Sequence, residues 1–163
     1  MAMDMFLLLD TIKGEAIDKT YGAKHAIDVL AWSWGLSNSG TTHVGGGGGA
    51  GKANFQDLSI TKYIDSASSA LMGAAASGTH IKTGQLVVRK AGEKPLEYVV
   101  IDLKEVLITS VSTGGSGGED RLTENIVLNF AEIKFAYKEQ AKTGGAAGGS
   151  KDFAWNIAEN TKA

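Results

Sequence analysis

Cysteine is absent from the 163 residues, which excludes disulfide scaffolds, thiol nucleophiles and thiolate metal sites in one step. Proline occurs once, so a strand-rich chain would suffer few gaps in its hydrogen-bond ladders. Basic residues are not in excess: 16 Lys and Arg stand against 18 Asp and Glu. A net charge of −2 offers no broad field for nucleic acid or an anionic membrane. Long apolar runs are missing as well. The longest uncharged apolar stretch, residues 70–76, falls far short of the ~18 residues that a membrane span needs, so no membrane insertion is expected. Met1-Ala2-Met3-Asp4-Met5 carries an acid where a secretory leader carries Lys or Arg. The expectation is a chain that folds in a cytosol and leaves it, if at all, without a cleaved signal. Its length fits one domain over residues 1–163.

Glycine is abundant. Of 22 glycines, 14 fall in three runs at 45–51, 114–118 and 144–149. Between them the chain reads with the period of two that places alternate side chains on opposite faces of a strand. Strands are expected at 3–10, 27–34, 55–64, 86–91, 96–103, 106–111, 122–137 and 153–157. Within 122–137, Ile126, Leu128 and Phe130 share one parity, whereas Ile133, Phe135 and Tyr137 take the other. That switch at Ala131-Glu132 predicts a β-bulge that bends the strand between two sheets. Residues 66–76 are Ala-rich and free of β-branched side chains, and read as one helix. Asp65 or Ser66 is its candidate N-cap and Gly78 its C′ residue. The fold class expected is mainly β, an antiparallel barrel or sandwich. Several strands are apolar on both faces and call for a second cover, in part from another subunit.

Chemistry is scarce in this sequence. Residues 46–52 match G-x-x-x-x-G-K, but Ala53 stands where a phosphate loop needs Ser or Thr for Mg²⁺. The residues that follow read as a strand and not as a helix. A small-molecule or nucleotide-binding barrel built on this loop is the alternative function; a flexible assembly loop with Lys52 as a solvated charge accounts for the match more simply. His25, His43 and His80 have no metal-ligand spacing. Ser116, between Gly115 and Gly117, lacks the strand-to-helix elbow of a hydrolase nucleophile. Glu119-Asp120-Arg121 reads as a local ion pair at a strand entry. Trp32 and Trp34 share one strand face, as core or interface anchors in preference to a stacking platform for a base or sugar. Neither catalytic residues, nor a metal, nor any cofactor is expected.

Several segments in order carry a family likeness: Val29-Leu30-Ala31-Trp32-Ser33-Trp34-Gly35, Ser39-Gly40-Thr41-Thr42-His43, the run from Gly45 to Lys52, and Asp57-Leu58-Ser59-Ile60-Thr61-Lys62-Tyr63-Ile64-Asp65. Val88-Arg89-Lys90-Ala91-Gly92 follows, and then Thr109-Ser110-Val111-Ser112-Thr113-Gly114-Gly115-Ser116-Gly117-Gly118-Glu119-Asp120-Arg121-Leu122-Thr123-Glu124. Together they resemble the Hcp (haemolysin-coregulated protein) family, the inner-tube subunit of bacterial type VI secretion. The resemblance implies a two-sheet antiparallel β-barrel with one flanking α-helix. It also implies a homohexameric ring, stacking of rings into a tube expelled by a contractile sheath beneath a spike protein, and small secreted effectors chaperoned in the lumen. Export would then start in the bacterial cytoplasm and need no cleaved signal. By the same resemblance, residues 37–53 form an extended assembly loop in which Thr41, Thr42, His43, Gly47 and Lys52 meet neighbouring subunits or rings. Ser116 faces the lumen and touches cargo. Residues 138–151 match no fixed pattern of the family and read as a flexible Gly-rich loop.

Overall fold

The computed structural model describes residues 3–40, 51–92, 95–141 and 146–163. In chain order the elements are β1 (Met3–Leu9), β2 (Ile27–Asp28), β3 (Ala31–Ser33), β4 (Leu36–Asn38), β5 (Ala53–Phe55), β6 (Leu58–Tyr63) and α1 (Ser68–Ser77). Then come β7 (His80–Lys90), β8 (Leu96–Thr113), β9 (Thr123–Gln140), β10 (Ala146–Asn156) and β11 (Thr161–Lys162). Pairing is antiparallel, in the order β11-β10-β9-β8-β7-β1-β2, with β6 also on β9 and β3 on β6; β4 and β5 form a separate two-stranded sheet. The mainly β, antiparallel fold with a single flanking helix is the one expected.

The bend comes about in a way the alternation did not foresee. Along β9, Ile126, Leu128 and Phe130 are buried and then Ile133, so the parity does switch at Ala131-Glu132. Yet the register runs unbroken from Leu103↔Ile133 to Val106↔Phe130. β8 switches at the same level, from Val99, Ile101 and Leu103 to Val106 and Ile108. Each strand adds one residue at the same point, so neither slips on the other. Glu105 takes the left-handed conformation there, at φ 54°, a strain that a non-glycine residue accepts only under constraint from its surroundings. The register slip lies further on, between Ile108 and Ser110 of β8. Across the bend β9 exchanges one neighbour for another, β6 pairing with 123–128 and β10 with 132–140.

Other boundaries shift too. The strand expected at 27–34 divides into β2 and β3, and those at 96–103 and 106–111 fuse into β8. The helix begins at Ser68, and Ala67 at its cap position offers no side-chain hydrogen bond. Asp65 acts one turn earlier, its Oδ1 accepting from the Ala67 N–H at 2.9 Å. Gly78 closes the helix as expected, at φ 67° with its N–H on the Ala74 carbonyl.

The main core fills the barrel with, among others, Leu7, Ile27, Leu58, Ile60, Leu71, Leu86, Ile101, Leu103, Ile108, Ile126 and Leu128. The second face of β1 and β7 finds its cover within the chain. Phe6 and Val87 point outward and are buried by Ala16, Tyr21 and Ala26 of the 13–26 loop. Tyr21 stacks on Phe6 with centroids 4.5 Å apart. Arg89 fastens this loop: its guanidinium bonds Asp18 at 2.5 Å and Asp4 at 3.1 Å and lies over both rings. The Tyr21 hydroxyl donates to Glu97. Among the described residues, no helix is long and apolar enough to cross a membrane.

Candidate functional site

The loop at 114–122 joins β8 to β9, and its two ends are held together by the Thr113↔Glu124 and Ser112↔Asn125 pairs. Ser116 stands at the tip, exposed, in a turn closed by the Glu119 N–H on the Ser116 carbonyl at 3.2 Å. Gly114, Gly117 and Gly118 look onto open space, whereas a Cβ on Gly115 would overlap the Leu122 side chain. The loop is therefore bare at its tip and packed at its base. Glu119, Asp120 and Arg121 form no ion pair with one another; Arg121 instead lies over the Tyr63 ring, 3.9 Å from its centroid. The Leu122 carbonyl accepts from the Ile64 N–H at 2.9 Å.

Beneath the loop lies a group of buried charges. Lys62 and Glu124 are cross-strand partners with fully buried side chains, their charged atoms 2.5 Å apart. Lys62 Nζ also donates to Asp65 Oδ1 at 2.9 Å and to the Tyr63 carbonyl at 2.8 Å. The Ser68 hydroxyl donates to Glu124 at 2.6 Å and accepts from the Asp65 N–H at 3.0 Å. One ammonium thus ties together β6, the turn before the helix, the first helical residue and the start of β9. The signal was present in the alternation: Lys62 continues the inward parity of Leu58 and Ile60, as Glu124 does that of Ile126 and Leu128. Charged residues are so seldom fully buried that parity alone is easily discounted.

Thr41, Thr42, His43 and Gly47 lie outside the described residues. Lys52 is exposed and leads directly into β5. With a strand behind it, residues 46–52 have no helix N-terminus to present to a phosphate. The root of the 37–53 segment is the β4–β5 pair, in which Leu36 faces Phe55 and Asn38 faces Ala53; Asn38 Nδ2 donates to the Gly51 carbonyl at 2.5 Å. Phe55 joins this root to the barrel through Trp34 and Trp155, with centroids 6.3 and 6.4 Å away, and Trp34 also meets Phe135. Trp32 and Trp34 both pack on the main core, the anchoring role anticipated for them. A cavity of about 420 Å³ beside the root is lined by Lys52, Gln56, Asp57 and Asn129.

The outer sheet face carries the larger cavity, about 760 Å³. Leu8, Gln85, Asp102 and Lys134 lie in one row across four strands, with Ala154 opposite Lys134 on β10. Gln85 donates to Asp102 at 2.7 Å. Its charges alternate in sign and hold no nucleophile–base pair. Among the described residues, no three His, Asp or Glu side chains are grouped to hold a metal.

The family model described as type VI secretion system effector, Hcp, matches residues 6–137. Protein hcp1 of Pseudomonas aeruginosa is 56% identical over 164 residues, spanning 100% of both chains. A solved structure described as a type six secretion system protein superposes with a TM-score of 0.92 at 31% identity, covering 99% of this chain and 100% of its own. Hcp1 from Salmonella typhimurium matches at 0.81 and 34%, covering all of both chains. A type VI secretion system effector from Yersinia pestis matches at 0.76 and 34%, over 94% and 100%.

Proposed function

The chain belongs to the Hcp family of type VI secretion proteins, and on that premise we propose that it is a structural subunit of the secretion tube and not an enzyme. The observation that carries this is the end-to-end likeness to Protein hcp1 of Pseudomonas aeruginosa. A single barrel domain over 1–163 assembles into homohexameric rings, which stack into a tube. A contractile sheath drives the tube and its spike outward, from the bacterial cytoplasm and without a cleaved signal. Small effectors travel in the lumen. The competing nucleotide reading of residues 46–52 loses its footing, because Lys52 runs into β5.

Two surfaces receive roles. In the 37–53 loop, Thr41, Thr42, His43, Gly47 and Lys52 contact neighbouring subunits or rings, from a root that the aromatic cluster fixes to the barrel. The 114–122 loop presents Ser116 to cargo; its glycines leave the tip bare.

Native mass spectrometry tests the ring: a six-subunit mass is expected, and a monomer at micromolar concentration overturns it. Ser116→Gln should leave the ring mass unchanged while abolishing co-purification of a small effector co-expressed with it. Undiminished effector on intact Ser116→Gln rings removes the cargo role. Deleting residues 45–49 should yield isolated rings with unaltered thermal stability, seen by electron microscopy; unaltered tubes refute the assembly role of this loop.

A further inference from the structure

We propose that buried Lys62 is a positioning residue for the Ser116 turn; the inference rests on the reading of that turn as the cargo contact. A continuous set of contacts connects the two. Lys62 Nζ bonds the Tyr63 carbonyl at 2.8 Å. The next residue, Ile64, donates its N–H to the Leu122 carbonyl at 2.9 Å, and the Leu122 side chain lies against Gly115, where a Cβ would displace it. Gly115 precedes Ser116. From the other side, Lys62 grips Glu124 at 2.5 Å, and Glu124 faces Thr113 where the loop leaves β8. Arg121, on the Tyr63 ring, closes the circuit.

The location of these contacts separates positioning from mere stabilisation. A Cβ added at Gly114, Gly117 or Gly118 would meet nothing, so apart from the turn bond between Glu119 and Ser116 the loop's order comes from its base. That base is made of Tyr63, Ile64, Leu122 and Glu124, and Lys62 touches the first and the last of these. Lys62 simultaneously fixes Asp65 and, through Glu124, Ser68. The same ammonium that seats the helix therefore sets the loop.

The absence of cysteine makes Ser116→Cys the sole thiol, and a nitroxide attached there reports nanosecond loop motion in the assembled protein without any cargo. Lys62→Met should shorten the label's correlation time by roughly twofold, and Leu122→Ala, which cuts the same path at its exposed end, should do likewise. Val87→Ala, in the outer satellite cluster, serves as a control that weakens folding elsewhere and should leave the label unmoved. If Lys62→Met does not fold, Lys62→Met with Glu124→Leu removes both buried charges and takes its place, with the same shortening expected. A label spectrum unchanged by the Lys62 variant, or changed equally by Val87→Ala, overturns the proposal. A cargo result against Ser116 would leave this readout untouched, so failure of either idea is recognisable by itself.

Discussion

Asp18 receives more donors than any other exposed-loop carboxylate described here: the Arg89 guanidinium at 2.5 Å and the N–H groups of Thr20 and Tyr21 at 2.9 and 3.0 Å. The Arg89 bond, then the Tyr21 amide, hold its carboxyl down from 3.8 to about 2. Tyr21 moves the opposite way, raised chiefly by burial and then by its bond to Glu97. Because the folded-state value of Asp18 is depressed, its stabilisation is complete above the unfolded value and is lost as pH falls through the folded one. Asp18→Asn retains the Oδ1 acceptor for the two amides and removes the charge together with the Oδ2 acceptor that Arg89 uses. It should cost about 1 kcal/mol at pH 7, since partial exposure screens the pair. The gap from wild type in urea unfolding should close between pH 4 and pH 2; a gap constant with pH would place the effect in loop packing. Residues of this kind were poorly legible in the sequence. Neither Asp18 nor Arg89 carries a local sign of its partner, because 71 positions separate them. Lys62 and Glu124 did show their inward parity, but the pairing of two buried charges comes from strand register.

The helix shows how far local signals reach at the level of an element. Its Ala-rich composition and Gly78 located it, yet its first turn has no acid, its last turn no base, and only Ser68 and Leu71 are buried. Propensity and tertiary seating, not an amphipathic stripe, hold it. Two glycines then respond oppositely to the same substitution. Gly73 lies mid-helix with open space where an alanine methyl would stand, so Gly73→Ala should stabilise the protein by about 0.5–1 kcal/mol. Gly78 has equally open space but φ 67°, so Gly78→Ala should destabilise it by about 1 kcal/mol through backbone strain alone. Thermal unfolding of both variants decides; shifts of equal sign refute this assignment of backbone roles. Strand interiors were read correctly in β1, apolar on both faces, and in β9 on either side of its parity switch. Boundaries failed where one periodic run contains a change of partner or direction. Residues 27–34 looked like one strand because alternation continues through Val29 and Leu30. The two halves of β8 looked like two strands because Lys104 and Glu105 interrupt it.

That change of partner at Val29 and Leu30 is what makes the sheet a barrel. The pairing runs from β1 through β7, β8 and β9 to β6 and then β3. The short segment Ala31–Ser33 on β6 is separated by two residues from Ile27–Asp28 on β1. In between, the Val29 N–H bonds the Met5 carbonyl at 3.0 Å and the Leu30 N–H the Thr61 carbonyl at 2.8 Å. Successive amides thus face opposite neighbours, and one stretch of backbone joins the two ends of the path. Periodicity could announce two faces but not this seam, since it depends on which distant strands flank the segment. It follows that Leu30 matters through its amide more than through its side chain, which is 38% exposed. Leu30→Ala should shift urea stability by less than about 1 kcal/mol. Leu30→Pro deletes the donor and leaves the Thr61 carbonyl without it, at a cost of about 1–3 kcal/mol. Amide exchange should rise in β1 and β6 together in the proline variant, because both strands lose the segment that joins them. Faster exchange confined to residues 27–33 would mean that the barrel is held by its side-chain core alone, and that the seam merely lies against it.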